Sequence, residues 1–174
     1  MRRRALLVQG FALTPLASLF LTACGGDTDL PNGMAVFKWD RDVCTRCKMA
    51  ISDHRFACQI RGGPKNMAFK FDDIGCAATW ISEKLKEHTW LTDAATRVWV
   101  ADFANPGKQW LDATTAHYVN GKTSPMGYNY AAYADAQSGS ISFDAMGQKT
   151  SATWPANCLP GRTKTASVAP AGLK

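Results

Sequence analysis

No part of this 174-residue chain is apolar for the roughly twenty consecutive positions that a membrane-spanning helix requires. The nearest candidate, Ala5 through Phe20, is interrupted by Gln9, Gly10, Thr14 and Pro15, and so has the length of a signal-sequence core instead. Histidine is scarce, with His54, His88 and His117 scattered along the sequence. Cys44 and Cys47 form a Cys-x-x-Cys with no second such pair, so the usual four-ligand spacing of structural zinc is missing. No repeat of solenoid length occurs. Beyond Ala145 there is no acidic residue, and Gly, Pro, Thr, Ser, Ala and Lys dominate. Such a composition buries too little apolar surface to offset its ordering entropy. Residues 145–174 are therefore expected to form a flexible, disordered tail, with Trp154 and Cys158 as the side chains able to dock.

A basic binding face is also missing, although the net charge of +6 and pI near 9.1 suggest one. Of the 20 basic residues, three are Arg2, Arg3 and Arg4, and four are Lys149, Arg162, Lys164 and Lys174. Residues 24–144 keep the other 13 together with all 14 acidic residues, a net charge of −1. The high pI belongs to the ends of the chain, which excludes nucleic acid as the expected partner.

What is present begins with Arg2-Arg3-Arg4, the apolar run and then Leu21-Thr22-Ala23-Cys24. This resembles the lipobox of bacterial lipoproteins, in which residues 1–23 are a signal peptide and Cys24 is acylated as the first mature residue. An ordinary cleaved signal with a chance cysteine is the alternative. Gly25 after the cysteine implies sorting to the outer membrane, with residues 24–33 as a tether. The arginines do not make a full twin-arginine signal, so general secretion is expected.

The remaining stretch, residues 34–144, is long enough for one domain. Phe56–Ile60 and Met67–Phe71 read as strands joined by the turn-rich Arg61-Gly62-Gly63-Pro64-Lys65. Asp72 or Asp73 can cap a following helix, marked by Ile74, Ala78, Ile81 and Leu85. Arg97–Phe103 is a strand and Asn105–Lys108 a turn. Gln109–Leu111 and His117–Val119 are short strands, Tyr130–Ala136 a short helix and Ser140–Phe143 a last strand. The expectation is an α+β fold of two related ββαβ units in one compact body, with halves at about residues 34–104 and 105–144.

Chemistry concentrates in Cys44-Thr45-Arg46-Cys47-Lys48-Met49, two thiols and a thioether. Soft donors of this kind select ions such as Cu(I). Structural zinc lacks further obvious ligands. A redox dithiol is expected at a strand-to-helix junction, yet no helix is expected before the next strand. A Cu(I) site tolerates two or three soft donors and alone gives Met49 a role. In an extended segment residues i and i+2 point the same way, which would bring Cys47 and Met49 onto one ion. A structural disulfide with Met49 in the core is the fourth reading. Arg46 and Lys48 either lower the thiol pKa values or are simply solvated.

The block from Asp42 to Ala57 resembles the opening of the NosL proteins, copper-binding accessory lipoproteins of nitrous oxide reductase. Phe71-Asp72-Asp73-Ile74-Gly75-Cys76, Val98–Phe103 and Ser124-Pro125-Met126-Gly127 agree in order and spacing. The resemblance implies two ββαβ halves and a non-enzymatic Cu(I) chaperone. It also implies nitrous oxide reductase or its copper-delivery membrane transporter complex as partner. The metal ligands it implies are Cys44, Cys47, Met49 and Met126, with Met126 folding back from the second half. Lys48, where the family usually has glycine, and Cys58, where a small non-thiol residue is usual, depart from it.

The other polar and sulfur side chains are less telling. Cys76 falls in the first turn of the expected helix, as an auxiliary ligand or a buried thiol. Cys58 and Cys158 are disulfide candidates or free thiols. Asp72, Asp73 and Asp102 read as caps and turn formers, not catalytic acids. The rival functions are a thiol–disulfide oxidoreductase and a copper or mercury scavenger.

Overall fold

In the computed structural model residues 30–155 are described. Cys24, most of the tether and Cys158 lie outside them. No helix among the described residues is long and apolar enough to cross a membrane.

The first half folds as its apolar pattern dictates. β1 (Cys58–Gly62) and β2 (Met67–Phe71) form an antiparallel hairpin in which Cys58 faces Phe71 and Gly62 faces Met67. Asp73 then caps α1 (Ile74–Lys84), its Oδ1 accepting from the Gly75 N–H at 2.9 Å. The helix buries Ile74, Ala77, Ala78 and Ile81 in the core shared with the sheet. A 3₁₀ turn at Thr89–Thr92 leads into β3 (Arg97–Ala101), which pairs with β1 and leaves β2 on the edge. This is the expected ββαβ unit.

The second half is also mixed α and β, but its elements come in another order. β4 (Trp110–Asp112) extends the first sheet, giving the strand order β2-β1-β3-β4. β5 (His117–Asn120) pairs with β6 (Tyr130–Tyr133) in a separate two-stranded sheet. α2 (Phe143–Thr150) closes the body. Tyr130–Ala136 is thus a strand at its start, not a helix. Its apolar run Tyr130–Ala134 fits either period, and backbone pairing with β5 decides the matter. Ser140–Phe143 is not a strand beyond the single bridge from Ile141 to Tyr118. Ser142 instead caps α2 by accepting from the Ala145 N–H, and the helix buries Phe143, Met146 and Gly147. The second half therefore reads β, β, β, α, not a second ββαβ unit.

α2 also runs across the expected start of the tail. Trp154 docks on it, edge-on to Phe143 at 5.4 Å between ring centroids. A Cβ on Gly147 would sit 2.3 Å from the Trp154 ring, so the indole can approach only a glycine.

Candidate metal centre

The sulfur-bearing segment is a tight loop, not an extended strand. Val43 and Ala50 bridge its base, and the Cys44 N–H donates to the Met49 carbonyl at 2.8 Å. The Lys48 N–H returns to the Cys44 carbonyl at 3.1 Å, with Lys48 itself at φ 66°. That left-handed backbone explains why glycine suits the position, since a Cβ there costs about 1 kcal/mol. It also removes the simple i, i+2 alignment of Cys47 and Met49.

Three contacts pin the loop to the body. The Thr45 N–H donates to the carbonyl of Lys70 at the end of β2, at 2.8 Å. Arg46 pairs with Glu83 of α1 at 2.8 Å and donates to the Tyr128 hydroxyl at 3.1 Å. Tyr128 in turn lies against the first turn of α1, where a Cβ on Gly75 would fall 2.0 Å from its ring. Gly75→Ala is therefore expected to destabilise the fold by about 1–3 kcal/mol, as overpacked cores do. A lower urea midpoint with unchanged m-value would show it.

The loop sets Cys44 and Cys47 against the β2–α1 junction, which supplies Asp72 and Cys76. One donor atom from each of these four residues lies within 4.8 Å of all the others. Cys44 and Cys76 are fully buried and Asp72 is 1% exposed, while Cys47 is half-buried. The two adjacent aspartates divide their work. Asp73 caps the helix, which frees Asp72 to turn toward the thiols, where it accepts from Cys47 Sγ at 3.4 Å. Asp72 and Cys76 are the members that linear spacing did not bring together. The available signal was the doubled aspartate at the helix start, one residue more than a cap needs.

Electrostatics splits the thiols. Cys44 is lowered to about 4, chiefly because the Cys76 thiol donates to it, aided by the backbone N–H groups of Cys47 and Asp72. Cys76 is pushed up, first by giving its hydrogen to Cys44 and then by burial. Burial raises Cys47 to about 11 and Asp72 to about 6. Arg46 and Lys48 are not what lowers Cys44. The guanidinium is committed to Glu83 and Tyr128, and Lys48 Nζ donates to the Thr45 carbonyl at 2.6 Å.

The two methionines differ in exposure. Met49, at the end of the loop, is 52% exposed. Met126 is half-buried, and its N–H donates to Asp73 Oδ2 at 3.2 Å, so the Ser124–Gly127 turn does fold back onto the α1 N-terminus. Cys58 is a free, fully buried thiol in β1, outside the four-residue group and pushed up by burial.

A small α+β body that converges three thiols and a carboxylate on one point, with one thiol only half-buried, has the make-up of a soft-metal-binding protein. Residues 38–147 match the family model of NosL, and the chain belongs to that family, which is not an enzyme family. The chain is also similar to the crystal structure of the copper chaperone NosL from Shewanella denitrificans. That match has 16% identity over 68% of this chain and 89% of that one, with a TM-score of 0.43. No curated protein matches.

Proposed function

We propose that this chain is a copper chaperone that carries Cu(I) in the cluster of Cys44, Cys47 and Cys76, anchored by a lipid on Cys24 at the periplasmic face of a membrane. Its client is nitrous oxide reductase or the transporter complex that loads it. The observation that carries the copper role is the convergence of three thiols with only Cys47 reaching the surface. Three soft donors satisfy Cu(I) without a complete polyhedron, so a ligand of the acceptor can enter beside Cys47 before the buried thiolates let go. Met49 and Met126 would serve as thioether donors for that transfer.

The same asymmetry disfavours a thiol–disulfide oxidoreductase. Such an enzyme attacks with an accessible thiol of depressed pKa. Here the depressed thiol, Cys44, is buried, and the accessible one, Cys47, is raised to about 11.

Loading displaces protons. At neutral pH Cys44 is already ionised, whereas Cys47 and Cys76 hold theirs, so each Cu(I) should release two protons. Both thiols sit above their usual range, so affinity rises with pH, by about a hundredfold per unit between roughly pH 7 and 9. Proton release into a weakly buffered anaerobic titration measures it. Client choice is tested by incubating the Cu(I)-loaded protein with copper-free nitrous oxide reductase. Transfer and recovered activity are expected; copper retained by the chaperone would point to another client.

A further inference from the structure

The net charge of −1 on residues 24–144 hides a separation of charge that only folding creates. β1 and β3 run antiparallel, so the end of one meets the start of the other and Arg61 stands directly opposite Arg97. Like charges so placed repel, and no carboxylate of the described residues pairs with either. Arg61 Nε is buried without a hydrogen-bond partner, and the Arg97 guanidinium donates only to the carbonyls of Ala94 and Thr96. The β1–β2 turn adds the exposed Lys65, and the chain just past α1 adds the exposed Lys86, neither with an acidic partner among the described residues. Against these four cations stands one unpaired carboxylate among the described residues at this end, Asp93, because Glu87 is held by Lys84 at 2.8 Å. The carboxylates that follow the strands at their other ends, Asp72 and Asp73 after β2 and Asp102 after β3, lie on the side of the metal centre. α1 spans the distance between the two ends, about 16 Å.

The basic end is also amphipathic. Trp90 lies half-buried across the hairpin turn, where a Cβ on Gly62 would sit 2.8 Å from its ring, and Met67 beside the turn is 44% exposed. Lysine and arginine around a partly exposed indole and an apolar side chain suit a bilayer surface. There the indole sits among the headgroups, and each cation adds attraction to anionic lipid. The length of the tether supplies the occupant. Even fully extended, the chain from Cys24 to Leu30, the first described residue, spans at most about 20 Å. An acylated Cys24 therefore keeps the body beside the headgroups at a high effective concentration, so weak contacts suffice to orient it.

We propose that this end of the body, built on Arg61, Lys65, Lys86 and Arg97, docks on the anionic headgroups of the membrane that holds the anchor. It rests on the lipid-anchor reading of Cys24, not on copper's being the cargo. Docking here places the metal centre at the end of α1 away from the bilayer, where an acceptor can reach it.

The test uses the full mature chain from residue 24, kept free of an acyl group by Cys24→Ser, in co-sedimentation with vesicles. Vesicles of phosphatidylethanolamine with phosphatidylglycerol should bind it at low salt and release it at high salt, and vesicles of phosphatidylcholine alone should not bind it. Lys65→Gln, Lys86→Gln and Arg97→Gln, combined in one variant, should weaken binding at least about tenfold. A control that removes the same charge elsewhere, Lys38→Gln with Lys108→Gln and Lys122→Gln, should stay within about threefold. Brominated phosphatidylglycerol should quench the tryptophan fluorescence of the parent chain, and Trp90→Phe should abolish most of that quenching. Equal binding to both kinds of vesicle, equal loss in the two triple variants, or quenching unchanged in Trp90→Phe would each overturn the assignment. Mass spectrometry of the native protein reads the anchor separately. An unacylated Cys24 with charge-dependent binding intact would sink the anchor and leave this surface standing; an acylated Cys24 without such binding would do the reverse.

Discussion

Cys76→Ser lowers the Cu(I) affinity of the reduced protein by more than about a hundredfold while leaving its fold in place. A hydroxyl is close to a thiol in size but is not a soft ligand, so the variant removes a donor and little else. Cys76 occupies the first turn of α1 behind the Asp73 cap, where backbone N–H groups accommodate an oxygen as readily as a sulfur. Cys58→Ser is the matched control. It too replaces a buried thiol, but one outside the cluster, so affinity should stay within about threefold while stability falls by about 1–3 kcal/mol for a buried hydroxyl without a partner. Competition against a Cu(I) chelator and urea unfolding, run on both variants, separate the two effects. Equal copper affinity in Cys76→Ser and wild type would remove Cys76 from the site.

Asp73→Ala is expected to be the most destabilising single change near the centre. The carboxylate is fully buried and accepts three hydrogen bonds from two distant parts of the chain. Losing the helix cap costs about 0.5–2 kcal/mol. Stranding the Ser124 hydroxyl and the Met126 N–H costs about 1–3 kcal/mol for each group that stays buried. A total of about 3 kcal/mol is expected, read as a drop in the urea midpoint. Burial raises the Asp73 pKa, and its three donors counter that only in part. Asp73→Asn should not rescue it fully. The amide can keep one acceptor for Gly75, but its NH₂ would then face the Met126 N–H donor. The variant should also loosen the Ser124–Gly127 turn and with it the position of Met126. A midpoint within about 0.5 kcal/mol of wild type would mean that the turn is held elsewhere.

The first half of this fold is legible in the sequence because each element carries its own signal. The Gly-Gly-Pro turn lies between two apolar runs, and the doubled aspartate precedes a period of three to four. The second half is not, because its local signals conflict with its pairing. Tyr130-Ala131-Ala132-Tyr133 suits a helix by composition and is claimed as a strand by β5. Ile141-Ser142-Phe143 alternates like a strand, yet Ser142 is a helix cap. The centre divides in the same way. Cys44 and Cys47 announce themselves by spacing, and four ordered blocks point to the family. The absence of a second cysteine pair argued against a four-donor site, because spacing sees only neighbours in sequence. Cys76 and Asp72 join through the β2–α1 junction, which the Thr45–Lys70 bond carries to the loop. Lys48 shows the limit from the other side. Its departure from glycine is visible in the chain, but its meaning depends on a backbone angle.

In this account the half-buried thiol of Cys47 holds Cu(I) together with its buried partners Cys44 and Cys76. Anaerobic titration of the reduced protein with Cu(I) against a competing chelator, in wild type and in Cys47→Ser, tests it most directly. One tightly bound ion in wild type, weakened at least about a hundredfold in the variant, is the predicted result. Wild type without high-affinity binding, or a variant that binds equally well, would contradict it.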